Sequence, residues 1–180
     1  MVSKGTGGDT TRNNTLEYDV CNLFKNTYNF SIEKHSIFKN NESQYNDVIV
    51  KNVPYKSIYE NNGRTEFSLK STTYPTLNNT RIECKFQEKS GSTQDKISYF
   101  TDNALFDRFP EKNLLLVLGG DKLEKITDIC RKLHCKRISN IDKTLLIVKY
   151  TDLRNIITTL TTIDPQTGKY TTFKDLLQHC

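Results

Sequence analysis

Arg81-Ile82-Glu83-Cys84-Lys85-Phe86-Gln87 is the stretch whose pattern decides the fold. Side chains alternate across a strand. Ile82, Cys84 and Phe86 therefore share an apolar face, and Arg81, Glu83, Lys85 and Gln87 share a polar one. Taken alone, this describes an amphipathic strand with one solvated face. The segment before it changes the reading. Thr65-Glu66-Phe67-Ser68-Leu69-Lys70 also alternates, with Phe67 and Leu69 on one side and Glu66, Ser68 and Lys70 on the other. A loop holding Pro75 and Asn78-Asn79 joins the two segments, so they are predicted to form a hairpin. That pairing sets Glu66 and Glu83 near each other on one face.

Two adjacent carboxylates repel unless a cation neutralises them. Oxygen donors of this kind suit magnesium or manganese. A lysine beside them, here Lys85, is placed to orient a water and to stabilise charge building on a phosphate.

Working outward, Thr15 is a predicted N-cap for a helix whose apolar repeat is Leu16, Val20, Leu23, Phe24 and Tyr28. Asp47 to Val53 reads as a strand stopped by Pro54, and Asn61-Asn62-Gly63 as a turn. Ser92 is expected to open a second helix, with Asp95 in the capping-box position and Ile97, Phe100, Ala104 and Leu105 as its apolar face. Asn113 to Leu118 is continuously apolar, as in a strand covered on both sides. Gly119-Gly120 then turns into a helix whose expected buried face is Leu123, Ile126, Ile129, Cys130 and Leu133. Thr144 to Tyr150 is another strand. Asp152 can cap a helix holding Leu153, Ile156, Ile157 and Leu160, and a short helix is expected near Phe173 to Leu177. The order predicts an α/β fold with a central mixed β-sheet flanked by helices on both faces. Residues 1 to 13 are expected to be a disordered arm, and residues 14 to 180 a single domain without internal repeats.

With this order in place, the Arg81 to Gln87 segment resembles the PD-(D/E)XK nuclease superfamily, the restriction-endonuclease-like proteins. Their hallmark is an acid on one strand and acid-x-lysine on the next. Glu83-Cys84-Lys85 matches the triplet, Gln87 matches a glutamine often found two residues later, and Gly91-Ser92 followed by Lys96 matches a helix opening of several members. The resemblance runs from Leu16 to Leu160. It implies a magnesium-dependent DNA endonuclease of restriction or homing type, with manganese able to substitute. Double-stranded DNA is the implied partner, with a homodimer where both strands are cut. The implied site has Glu66 and Glu83 as metal ligands, Lys85 positioning the attacking water, and Gln87 supporting from the same strand. Glu17, on the first helix, matches a further acid that faces the site in many members; its ordinary alternative is a first-turn acid favoured by the helix dipole. The family's first acid is normally aspartate, often after proline. Here Glu66 stands in that place, with Asp47 on the preceding strand as the alternative. A DNA-binding module that kept the fold without catalysis is the competing function.

Composition is compatible with this reading. The formal net charge is +5 and the pI about 8.9, a mild excess that favours a polyanionic partner without requiring one. Lys89 and Lys96 lie nearest the implied site and are the expected phosphate contacts; Lys132, Lys136 and Arg137 form a second basic patch, equally readable as a solvated helix end. The five cysteines are irregularly spaced, and no apolar leader precedes the first helix, so an intracellular, cytoplasmic setting of prokaryotic or viral type is expected. Cys130, His134 and Cys135 lack a second ligand pair at zinc spacing and are read as a helix end. No apolar run reaches membrane-spanning length.

Overall fold

The computed structural model describes residues 10–88, 93–138 and 141–177. Its first helix, α1 (Thr10–Tyr28), begins five residues before the predicted cap at Thr15. Residues 10–13, expected in the arm, are helical, and residues 1–9 lie outside the described residues. Leu16, Val20, Leu23, Phe24 and Tyr28 enter the core as their spacing predicts. The helix ends where Asn29 takes φ +59° and the Phe30 amide bonds back to the Phe24 carbonyl at 3.2 Å, a left-handed stop.

Next come β1 (Ser31–Lys34), the short helix α2 (His35–Phe38), β2 (Asp47–Lys56), β3 (Asn62–Ser71) and β4 (Thr80–Phe86). After them the chain alternates through α3 (Thr93–Leu105), β5 (Asn113–Gly119), α4 (Asp121–Ile138), β6 (Thr144–Lys149), α5 (Leu153–Thr161) and α6 (Phe173–Leu177). The six strands lie side by side in sequence order. β2, β3 and β4 are antiparallel neighbours, whereas β1–β2, β4–β5 and β5–β6 are parallel. This is the mixed α/β sheet expected, with α1, α5 and α6 packed on one face and α3 and α4 on the other. β5 is apolar from Leu114 to Leu118 because both faces are covered. Leu115 and Val117 join the α1 side, and Leu114, Leu116 and Leu118 the α3–α4 side. Each such side chain contributes on the order of 1.5–3 kcal/mol by leaving water.

Four sequence expectations are corrected. β1 and α2 were not foreseen; β1 is four residues long and too short for its alternation to register. β2 does not stop at Pro54 but continues to Lys56, with Pro54 opposite Arg64. The last β1–β2 pair is Lys34–Lys51, so Pro54 sits where β2 is a sheet edge and its missing N–H breaks no ladder bond. The hairpin turn lies at Ser57–Asn61, closed by the Ser57 amide on the Asn61 carbonyl at 3.0 Å, while Asn62 and Gly63 already belong to β3. Gly63 is glycine because the Tyr55 ring lies across it: a Cβ there would be 2.4 Å from Tyr55 Cζ. In α4, Ile129 and Leu133 are more than half exposed, and Leu123, Thr127, Cys130, His134 and Ile138 face inward instead. Thr127 can be buried because its hydroxyl donates to the Leu123 carbonyl of its own helix at 3.1 Å.

Candidate active site

β3 and β4 pair over only three residue pairs, the last being Phe67–Ile82. Continuing that register would set Glu66 opposite Glu83, and there the strands part. The β2–β3 ladder is disturbed at the same level. Lys51 pairs with Phe67 and Val53 with Thr65, but Asn52, between them, has φ +57° and no pair with Glu66. Val48, Val50 and Val53 share one core cluster, which a strand without a break in alternation could not achieve. The register is the same on both sides of this step, so one residue of each strand is left unpaired there. On β3 that residue is Glu66. Its Oε2 accepts the Cys84 amide at 3.1 Å, and its Oε1 lies 3.4 Å from Lys85 Nζ. Lys85 Nζ also pairs with Glu83 Oε1 and donates to the Cys84 carbonyl at 3.1 Å.

Glu66, Glu83 and Lys85 thus converge in the gap between two splayed strands. Glu83 and Lys85 stand in register with Leu116 and Leu118, on the α3–α4 side of the sheet. Glu83 is 8 % exposed. Burial holds its carboxyl well above the usual carboxylate range; Lys85 opposes that shift and Glu66 adds to it. For Lys85, burial favours the neutral amine, but Glu83 and Glu66 outweigh it and keep the ammonium protonated. The site is two acids sharing one cation, with negative charge in excess if both acids ionise.

Glu83 Oε2 in this cluster and Gln87 Oε1, on the residue that follows β4, are both buried without a hydrogen-bond partner among the described residues. Buried acceptors are rarely left unpaired, and a hard cation is one way to satisfy them. Among the described residues no group of three or more histidines, cysteines or acids is gathered for a metal. Magnesium does not demand one. It is commonly held by one or two carboxylates and keeps several waters. Glu66 and Glu83, drawn together by Lys85, offer carboxylate oxygens of the kind such an ion takes.

The other expected residues are placed as follows. Gln87 is buried just past β4, with its amide N–H on the Gly119 carbonyl at 2.9 Å. Gly120 follows with φ +86°, where a Cβ would lie 2.6 Å from the Gln87 carbonyl oxygen, so the Gly119-Gly120 turn lets α4 start against the site strand. Glu17 is half-buried on α1; burial raises the Cys84 and Cys21 thiols, with Glu17 a smaller contributor to both, and both cysteines belong to the core on the α1 side. Asp47 is far from the cluster. It pairs with Ser71 at the other end of β3 and accepts the Ser71 hydroxyl at 2.6 Å and the Thr72 and Thr73 amides at 3.2 and 3.1 Å. It holds the β3–β4 connection. Lys96 is exposed on α3, while Lys89 and the Gly91-Ser92 opening lie outside the described residues. Arg137 is engaged by Asp102 at 3.1 Å.

Arg81 is not part of a polar site face. It is 1 % exposed, forks onto both carboxylate oxygens of Glu111 at 2.6 and 3.0 Å, bonds Thr65 Oγ1 and lies 4.8 Å from the Phe109 ring centroid. Tyr55 was overlooked. Burial pushes its hydroxyl up to about 12, with Glu83 and Tyr99 adding to the effect. Its signal in the sequence, an aromatic directly after Pro54, was masked by reading the proline as a stop.

A family model described as the PD-(D/E)XK nuclease superfamily domain matches residues 10–160. No curated protein and no solved structure matches the chain.

Proposed function

The chain belongs to the PD-(D/E)XK nuclease superfamily, and from that premise we propose that it is a magnesium-dependent endonuclease hydrolysing phosphodiester bonds of double-stranded DNA. Membership suggests nuclease activity and a nucleic-acid substrate, and nucleases of this superfamily typically use a divalent metal. The finer reading is supported above all by one observation: two acids and a lysine meet where β3 and β4 part, and Oε2 of one of the acids, Glu83, is buried without a partner among the described residues.

In this reading Glu66 and Glu83 would hold the ion, with Gln87 as a further candidate oxygen donor. Bound magnesium would supply Lewis-acid stabilisation of the charge gathering on the phosphate. Lys85 stays protonated between its two acids and therefore acts as a cation and hydrogen-bond donor rather than as a base. It orients the attacking water and stabilises the phosphate oxygens as the water oxygen adds to phosphorus and the sugar oxygen departs. Glu66 is fixed by the Cys84 amide, so its position does not depend on the ion. Glu17, on the α1 side of the sheet and so on the face opposite Glu83 and Lys85, is given no part in this reading. A restriction or homing role fits a small single-site domain, and cutting both strands would bring two copies together. Among the described residues no helix is long and apolar enough to cross a membrane. The reduced thiols of Cys21, Cys84, Cys130 and Cys135 suit a cytoplasmic setting.

Supercoiled plasmid incubated with the protein tests this reading. Nicking or linearisation in magnesium or manganese, abolished by chelator, is expected. A protein that binds the plasmid and leaves it intact in both metals would be the inactive module instead.

A further inference from the structure

The β2–β3 hairpin reaches well beyond the last β3–β4 pair. From Phe67 back to Asn62 it extends past the level of Glu83 and Lys85, so its tip overhangs the C-terminal end of β4, where the candidate site lies. That tip carries Tyr59, 70 % exposed and stacked on Tyr99 of α3 with ring centroids 6.2 Å apart and planes 12° from parallel. An aromatic of this size in water is otherwise a loss of apolar burial.

The tip is also held firmly. The Ile58 amide donates to Asn103 Oδ1 at 2.9 Å, tying the turn to α3. The buried Ser57 hydroxyl accepts the Tyr59 and Asn61 amides, each at 3.2 Å. The Glu60 amide returns to the Ser57 carbonyl at 2.9 Å, and the Glu60 carboxylate pairs with Arg108 at 2.9 Å. Below the tip, Tyr55 packs edge-on against Phe109 at 4.9 Å, and Phe109 lies under Arg81, two residues before Glu83. A ring presented this rigidly loses little entropy when a second flat group stacks on it.

We propose that the outer face of Tyr59, backed by Tyr99, is a stacking platform for one unpaired nucleobase of the strand being cut. The inference rests on the nuclease reading and refines its substrate: the duplex would be opened, bent or frayed next to the scissile phosphate, because a base within an intact stack offers no free face. Every base has a π-face, so the platform would add affinity with little sequence preference.

The chain has no tryptophan, so Tyr59→Trp introduces a single indole as a reporter. Binding of a short labelled single-stranded oligothymidylate and of a blunt duplex of equal length is measured by anisotropy, in a Glu83→Gln background in magnesium. Relative to Tyr59, alanine should weaken single-strand binding by roughly tenfold or more while changing blunt-duplex binding less than about twofold. Tryptophan should restore the binding, and its emission should be quenched as the oligonucleotide is added. Unchanged single-strand affinity in Tyr59→Ala, or unquenched indole at saturation, would overturn the platform. Plasmid cleavage by the parent chain is run alongside. If the parent cuts while the Tyr59 variants fail these tests, only the platform falls; if the parent neither binds nor cuts any nucleic acid, the nuclease reading falls with it.

Discussion

The Glu66 carboxylate accepts the amide of Cys84 at 3.1 Å at the level where β3 and β4 have ceased to pair. A side chain has taken over a ladder position. This contact couples fold to function: the splay that frees the Cys84 amide is the same splay that lets Glu66 approach Lys85 and Glu83. It also separates two contributions of Glu66 that mutagenesis can resolve. Glu66→Gln keeps an acceptor for the amide and removes the charge, whereas Glu66→Ala leaves a poorly hydrated N–H unpaired, at a cost of about 1–3 kcal/mol. Melts should therefore rank alanine below glutamine, with cleavage lost in both. Equal melting temperatures for the two would show that the amide contact contributes nothing.

Metal binding should appear as stability. An ion that binds only the folded chain adds about 2.7 kcal/mol at a hundred times its Kd, and for a domain of this size each kcal/mol moves the midpoint by roughly 2–4 °C. Magnesium or manganese should raise the melting temperature of the parent chain and leave Glu83→Gln nearly unmoved. An equal rise in both would place the ion elsewhere.

The Arg81–Glu111 fork is structural and should behave differently from the site acids. Both side chains are almost fully buried. Removing one partner strands a charge in the core, so Glu111→Ala should cost about 3–5 kcal/mol. Urea titration reads this directly. A loss below about 1 kcal/mol would mean that water reaches Arg81 and that the pair is not closed.

Asp47 gives a pH signature. Burial alone would raise its carboxyl, but hydrogen bonds from Ser71, Thr73 and Thr72 more than offset that and hold it below the ordinary range. Its folded pKa is depressed, so its stabilising contribution is full above the unfolded carboxylate value and disappears as pH falls through the folded one. The difference in melting temperature between the parent and Asp47→Ala should accordingly shrink toward acid pH. A difference that stays constant from neutral pH down to acid denaturation would contradict the assignment.

Much of this was legible locally. The alternation of Arg81 to Gln87 and Thr65 to Lys70, the unbroken apolar run of β5 and the glycine turn before α4 each declare themselves within a few residues, and they suffice for the α/β order. What was not legible depends on distant partners. Arg81 reads as a polar-face residue until Glu111, thirty positions later, folds over it. The break at Asn52 leaves no mark in composition, yet it falls at the step where Glu66 goes unpaired. Ile129 and Leu133 satisfy a helical spacing, but the sheet meets α4 along Thr127 and His134 instead. That Glu66 and Glu83 come together was legible because hairpin register follows from alternation. The places of Tyr55 and Tyr59 were not, because the true turn lies before the Asn-Asn-Gly signal.

The most direct measurement is plasmid cleavage by Glu83→Gln and Lys85→Ala beside the parent, in magnesium and in manganese, with melts of the same three proteins. Glu83→Gln removes a buried charge whose ionisation burial and Glu66 oppose, so it should melt at or above the parent while cutting nothing. Lys85→Ala removes the cation shared by both acids, so it should melt slightly lower, still bind DNA and cut nothing. Parent-level cleavage by either folded variant would contradict the assignment of Glu66, Glu83 and Lys85 as the catalytic centre.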